Sequence, residues 1–509
     1  MKKFKRLLLL GAGLLSLSAL TGCNNQTVPD NGYLIKVWGT FNDTYGAIID
    51  KAIAKMKELH PEYTIKYTKQ TGMGYDGLAD LVVKGIAGGD YPDAVVAYPD
   101  SVSNFLMAGR ALDITPYMDD PEIGWTEADK EDIPAAYLEE GSSYFIPGTY
   151  SVPLCKSTEA MYYNRTKLIG VDLSSINDEI NNGDPIDDEY LQSLTWDELF
   201  NKLCPALIEY NDKLDKDHKI ITPSAEYAEN WALVGYDSDD NLFITLAEQY
   251  GLPYTSINES TLAGSVDFVE KDASGKFAGV RDEYIELMRT FAKAYRNKYF
   301  TTKGVINKNV NYVSTTGGML FSIGSTGGVS YQFSDTTHYD VGVAPIPQRS
   351  LDDIKLINQG PSLAFLRRGE LNSNEQVLRA RGAWMFYDVW SSVAVNSEWA
   401  QTSGYTPIRN SVTSEQSYLN YKSVEGKDPE TLAILTARNA NYVAGTLDYL
   451  FSSPVYYGSS KARSAVTGIM ADIFKNTTKS KPADNVDLDS TDFDDIVRTY
   501  FEKAYNAAI

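Results

Sequence analysis

An α/β fold with more than one domain is predicted by three observations. Strand and helix periodicities alternate as β-α-β-α-β between Leu34 and Ala97, an order that calls for a parallel sheet with right-handed crossovers. The 509 residues are too many for one hydrophobic core and enough for two or three domains. The composition, 43% hydrophobic and 22% charged, is that of a globular chain.

Taken in order, the chain opens on a basic patch, Lys2-Lys3-Phe4-Lys5-Arg6, followed by an apolar run from Leu7 to Leu20 and then Thr21-Gly22-Cys23. Residues 1–22 therefore read as a secretory signal peptide. The apolar run of about 14 residues is short of the ~20 that a spanning helix needs. Its end resembles the lipobox of bacterial lipoproteins. That resemblance makes Cys23 the lipidated (palmitate-type) N-terminus of a body anchored to the extracytoplasmic face of the cell membrane. Residues 23–32 are polar and turn-prone, which suits a flexible tether.

Leu34 to Trp38 reads as a buried strand. Asn42-Asp43 can cap the helix whose apolar face runs through Ile48, Ile49, Ala52, Ile53 and Met56. His60-Pro61 ends that helix, and Tyr63 to Tyr67 alternates as a second strand. Leu78, Leu81, Val82 and Ile86 mark a helix closed by Gly88-Gly89, and Asp93 to Ala97 is a third strand. Further on, residues 171–190 are rich in Asp, Asn and Ser and read as an inserted surface loop. Thr195 and Glu198 form a capping box for the helix that follows. Tyr339 to Pro345 is strand-like, 477–489 is a polar loop, and Ser490 to Ala504 is a capped amphipathic helix.

Charge narrows the function. The formal net charge is −22, and the leader holds four of the cations, leaving the rest near −26. Such a surface repels nucleic acid and anionic lipid. Beyond Cys23 there are only Cys155 and Cys204, read as two free buried thiols. His60, His218 and His338 are scattered, with no zinc spacing. Asp237 to Asn241 with Glu248 superficially resembles a calcium loop, but Leu242 stands where the sharp turn needs glycine. No metal and no cofactor is expected.

Six phrases together resemble the family-1 extracellular solute-binding proteins of ABC transporters, the group of the maltose- and glycerophosphate-binding proteins. They are Tyr91 to Val96, Ser157 to Asn164, Thr195-Trp196-Asp197-Glu198-Leu199, Val341 to Pro347, Gly360 to Ala364 and Ser403 to Ile408. They occur in family order within residues 33–410. The resemblance implies a two-lobed periplasmic-binding-protein-like fold, each lobe a mainly parallel sheet flanked by helices, closing over a small molecule. It puts 33–153 and 345–404 in the first lobe, and 157–344 and 408–509 in the second. It implies a monomer that captures a carbohydrate, expected to be an oligosaccharide, and hands it to the transmembrane subunits of an ABC permease without making or breaking a bond.

The site follows partly from physics and partly from the family. Open α/β sheets bind beyond the carboxyl ends of their strands, which selects the loops holding Asp43 and, after the third strand, Tyr98 and Asp100. The two carboxylates also match family positions that accept sugar hydroxyls, where an ionised acceptor strengthens the hydrogen bond. Tyr98 and Tyr405 are candidate aromatic platforms for the apolar face of a sugar, and Trp231 precedes a stretch where the family places contacts. Trp38, inside its strand, reads as core. Ser157 and Thr158 match the entry to the second lobe and resemble the glycerophosphate type more than the maltose type. Gly324-Ser325-Thr326-Gly327-Gly328 departs from the maltose pattern, which has a tryptophan there; exposed amides in such a turn can cradle an anion, and Tyr331 just beyond could restore a platform. Asn241 lies in an acidic loop that can face the ligand. Arg409 is a possible phosphate partner, though a salt bridge to a neighbour is the plainer expectation. A phosphorylated polyol is the alternative cargo, and a tethered glycoside hydrolase or a surface adhesin the alternatives of another class.

Overall fold

A computed structural model describes residues 33–41, 43–223, 231–258, 260–261, 263–307, 319–333, 339–368, 373–425 and 431–509, without the side chains of Asp43 and Thr44. The leader, Cys23 and the tether lie outside the described residues. Ten strands build the two large sheets: β1 (Tyr33–Gly39), β2 (Tyr63–Lys69), β3 (Ala94–Ala97), β4 (Ser151–Pro153), β5 (Glu159–Asn164), β6 (Val234–Tyr236), β7 (Phe300–Thr302), β8 (Phe321–Ser325), β9 (Val341–Ala344) and β10 (Ser362–Phe365). The helices that matter here are α1 (Asp43–Leu59), α2 (Tyr75–Gly88), α3 (Pro99–Met107), α4 (Asp239–Gln249), α5 (Asp282–Arg296), α6 (Asn374–Ser391), α7 (Leu432–Ala444), α8 (Ser459–Val466), α9 (Ile469–Thr477) and α10 (Thr491–Ala508).

The two sheets share one plan. The first runs β2-β1-β3-β10-β4 and the second β7-β6-β8-β5-β9. In each, three strands are parallel and the fourth is antiparallel to both its neighbours. The β-α-β-α-β reading of residues 34–97 corresponds to β1, α1, β2, α2 and β3. Period-two alternation explains why β3 is apolar throughout: Ala94 and Val96 face one core layer, Val95 and Ala97 the other. A strand covered on both faces needs apolar side chains on both. Gly89, at φ +80°, ends α2 in the left-handed conformation that glycine enters freely.

Chain crossings join the lobes side by side. The amide of Ser157 donates to Gln359 O, and that of Gln359 to Ser157 O, each at 3.0 Å. The Thr406 amide donates to Lys156 O at 2.8 Å. The segments 154–158 and 358–361 thus lead directly into the antiparallel strands β5 and β10.

Several expectations are corrected. Ile346 and Leu356 are buried in the core of the second sheet, so the return crossing comes after 356 and not at 345. Ile408 is buried in the first core, and Ser411 is bonded to Asp132 of the first lobe, so the last crossing comes later than 408. Residues 171–190 are more than a surface loop, because Leu173, Ile180 and Ile186 are buried in the second core. The Thr195 capping box is half made: Thr195 accepts from the Glu198 amide at 3.1 Å, while the Glu198 carboxylate accepts from Tyr190. Ser490 precedes α10, yet its hydroxyl donates to Asp487 O instead of capping the helix. The calcium-loop likeness falls on α4, a helix. Cys155 and Cys204 are free and buried, one in each core. Among the described residues no helix is long and apolar enough to cross a membrane.

Candidate functional site

Between the sheets lies a cavity of about 400 Å³. Its walls come from the carboxyl ends of the parallel strands, as the physics of open sheets requires. Tyr98 and Asp100 follow β3, Asp237, Ser238, Asp240 and Asn241 follow β6, Lys303 follows β7, and Ser325 ends β8. The antiparallel strands contribute at their starts, with Glu159 heading β5 and Gln359 just before β10. Asp76, in the first turn of α2, completes the first lobe's wall. Helix α8 is the exception. Ser460, Arg463, Ser464 and Thr467 line the cavity from one helical stripe, while Ser459, Ala462 and Val466 are buried. The i, i+3/i+4, i+7 spacing puts each set on one face.

Arg463 spans the cleft. Its Nε donates to Asp100 Oδ2 of the first lobe at 3.0 Å. Its Nη1 donates to Asp240 Oδ2 at 2.9 Å and to Asn241 Oδ1 at 2.7 Å, both in the second lobe. Asn241 Nδ2 donates to Glu159 Oε1 at 3.2 Å and to Gln359 Oε1 at 2.6 Å. The Tyr236 hydroxyl donates to Glu159 Oε2. Burial raises the Glu159 carboxyl to about 8, against the pull of its hydrogen-bond donors, and the nearby Asp237 and Asp240 add to the rise. Burial acts on Asp240 in the same direction, but Arg463 and Ser238 outweigh it and hold Asp240 below the usual carboxylate range. Within one network, burial therefore favours the protonated form of Glu159 while Arg463 favours the ionised form of Asp240.

Aromatic groups gather at the first lobe's side. Tyr75 meets Tyr98 edge-on, ring centroids 5.3 Å apart, and Tyr75 is hydrogen-bonded to Tyr405. Tyr405 lies parallel to Trp399 at 6.5 Å. A Cβ on Gly327 would sit 2.6 Å from the Tyr405 ring, so glycine lets the second lobe's backbone rest on that ring. Burial pushes the Tyr98 hydroxyl up to about 12, with Arg463 opposing.

Among the sequence-derived candidates, Tyr98, Asp100, Asn241 and Ser325 line the one cavity. Ser157 is buried directly behind, accepting from the Ser325 hydroxyl at 3.2 Å. Tyr405 stands in the aromatic group beside Tyr98. Thr158 and Thr326 are buried in the framework instead. The Thr158 hydroxyl donates to Ile357 O at 2.8 Å, and its amide donates to Thr326 Oγ1 at 3.1 Å. Tyr331 is 66% exposed, and Trp231 packs beside Met319 on the second core; neither lines the cavity. Asp43 heads α1, and its side chain lies outside the described residues. Arg409 is a structural cation: it is buried, donates to Ser391 O at 2.7 Å, pairs with Asp129 and Asp132, and lies over Trp125.

Sequence reasoning missed Asp76, Lys303, Gln359 and above all Arg463. The stripe Ser460, Arg463, Ser464, Thr467 was a readable signal, a lone cation among small hydroxyls at helical spacing. A larger cavity of about 510 Å³ lies on the flank of the second lobe beside α7. There both Arg165 and Arg438 are neutralised, Arg165 by Asp188 and Asp340 and Arg438 by Asp340, and the cavity touches one lobe only.

Two α/β lobes of matching topology around a polar interlobe cleft define a solute-capture protein. Residues 51–426 match the family described as bacterial extracellular solute-binding protein, and the chain belongs to that family. Among solved structures the fold is similar to that of UgpB from Mycobacterium tuberculosis in complex with glycerophosphocholine, at 17% identity over 93% of this chain and 97% of that one, TM-score 0.61. It is also similar to maltose-bound MalE3 of T. maritima, at 15% identity over 93% and 98%, TM-score 0.59. The acarbose-binding GacH receptor of Streptomyces glaucescens follows, at 15% identity over 93% and 97%, TM-score 0.57. Among curated proteins none matches the chain significantly.

Proposed function

We propose that this protein is the extracytoplasmic substrate-binding lipoprotein of an ABC importer, held to the membrane through Cys23 and acting as a monomer. It captures a carbohydrate by lobe closure and delivers it to the permease without chemistry. The observation that carries this reading is the interlobe cavity. Carboxylates, two carboxamides and serine hydroxyls line it, with tyrosine rings on one side. That mixture suits a ligand with many hydroxyls and apolar C–H faces. Maltose and acarbose in the similar structures point the same way.

A phosphorylated polyol is the second reading. Lys303 favours it, a cation in the cavity wall, as does the glycerophosphocholine in the UgpB structure. Against it stand four aspartates in the same wall, Asp76, Asp100, Asp237 and Asp240, with Arg463 already neutralised. Thermal unfolding of the purified protein against oligosaccharides and phosphorylated polyols tests both. A ligand of the folded state stabilises it by about 2.7 kcal/mol at a hundredfold excess over its Kd. Stabilisation by one saccharide subset, indifferent to salt, supports the carbohydrate reading. Stabilisation by phosphorylated ligands alone, weakening as salt rises, replaces it with the second. Release of monosaccharide from any glycan in the panel would overturn the non-catalytic role.

A further inference from the structure

Arg463 reaches the cleft from a part of the chain that lies beyond the family match at 51–426. The other lining residues sit at or just beyond strand ends, in the interlobe crossing or in the first turns of helices, so α8 is the one helix that lines the cavity along its length. Its buried face packs in the second lobe's core with α9 and α10, and α8 also reaches α3 of the first lobe.

A guanidinium has five N–H donors in a rigid plane. The Nε–H goes to Asp100, and Nη1 serves Asp240 and Asn241. No described residue accepts from Nη2, although the side chain lines the cavity and is 25% exposed. The fork is thus anchored on both lobes and still has two donors to offer.

We propose that Arg463 is a specificity-determining residue of the cleft, tying the lobes together through Asp100 and Asp240 while its Nη2 donates to an oxygen of the ligand. This rests on the carbohydrate reading above. Because Asp100 and Asp240 neutralise the guanidinium, it presents hydrogen-bond donors without a net positive field, which selects a neutral, oxygen-rich ligand over an anionic one. Lysine cannot replace it, since one ammonium has no planar fork with which to span two carboxylates and a ligand.

The test measures saccharide affinity by calorimetry and the radius of gyration by small-angle scattering, on the wild type and on R463M, R463K and K461A. Lys461 is exposed on the neighbouring face of α8 and lines no part of the cavity. R463M and R463K are expected to bind di- and trisaccharides of glucose and mannose about ten- to a hundredfold more weakly. K461A should bind as the wild type does. Without ligand, the radius of gyration of R463M and R463K should rise as the lobes part. Undiminished affinity in R463K overturns the recognition role, and unchanged scattering in both variants overturns the tie. If the wild type binds no saccharide, the carbohydrate reading and the ligand-facing half of this proposal both fall, while the scattering still decides the tie. R463K carries both readouts should R463M fail to fold.

Discussion

Two ion-paired sites stand where the lobes meet, one at the crossing and one in the cleft, and they are built in opposite ways. At the hinge, Lys156 pairs with Glu140, and the two side chains are 0% and 6% exposed. Lys156 Nζ also donates to Gly360 O at 3.2 Å, and Glu140 accepts from Ser362 and Asn358. Every partner is framework. In the cleft, Arg463 and Asp100 are 25% and 16% exposed, and the guanidinium has donors to spare. Removing one partner of a buried pair strands a charge where water cannot reach it, whereas a partly exposed pair is screened and can exchange partners. The pair at the crossing therefore holds a fixed geometry, and the cleft pair can exchange partners.

The largest effect is expected at Lys156. Lys156→Met should cost about 3–5 kcal/mol of unfolding free energy, because Glu140 remains buried without its cation. Urea denaturation measures this, and a loss under about 1 kcal/mol would show that water reaches the hinge.

Glu159, where hinge and cleft meet, gives the next effect. Its carboxyl rises from an ordinary 4.5 to about 8 in the fold. Between those values the folded protein keeps a proton that the unfolded chain has released, so stability is greatest below pH 4.5 and falls as pH rises towards 8. The contribution is on the order of a few kcal/mol. Denaturation curves at pH 5 and pH 8 should therefore lie closer together in Glu159→Gln than in the wild type; equal separation would mean that Glu159 is ionised throughout.

Gly360 sharpens the hinge side. Its φ is +100°, and a Cβ would lie 1.9 Å from Cys155 O, so Gly360→Ala should cost at least about 1–3 kcal/mol. A melting temperature unchanged from the wild type would show that the crossing can shift to make room. The smallest effect belongs to the cleft. Arg463→Met without ligand should change unfolding free energy by less than about 1 kcal/mol, and raising the salt should shrink the difference further. A loss as large as that of Lys156→Met would erase the distinction between the two sites.

Periodicity made much of the first lobe legible. Alternating strands and 3.6-residue helices are local patterns, and β1 to β3 with α1 and α2 fall where those patterns place them. The rule that ligands sit beyond strand ends also pointed to Tyr98 and Asp100, which line the interlobe cavity. It did not separate Thr158 from Ser157, because adjacent residues on β5's approach differ only in which way each side chain points. Residues 171–190 misled because their Asp and Asn content hid four buried apolar anchors, Val171, Leu173, Ile180 and Ile186.

The amino-acid sequence by itself determined the α/β class and the acidic character, since these depend on composition and short-range periodicity, while the two-lobed form followed from its resemblance to a known family. Only the tertiary structure decided that Arg463 stands between Asp100 and Asp240. These residues are 363 and 223 positions apart from it in the chain, and no local pattern encodes a contact at that separation. It arises where α8, fixed by burying Ala462 and Val466 in the second core, must turn its other face to the cleft.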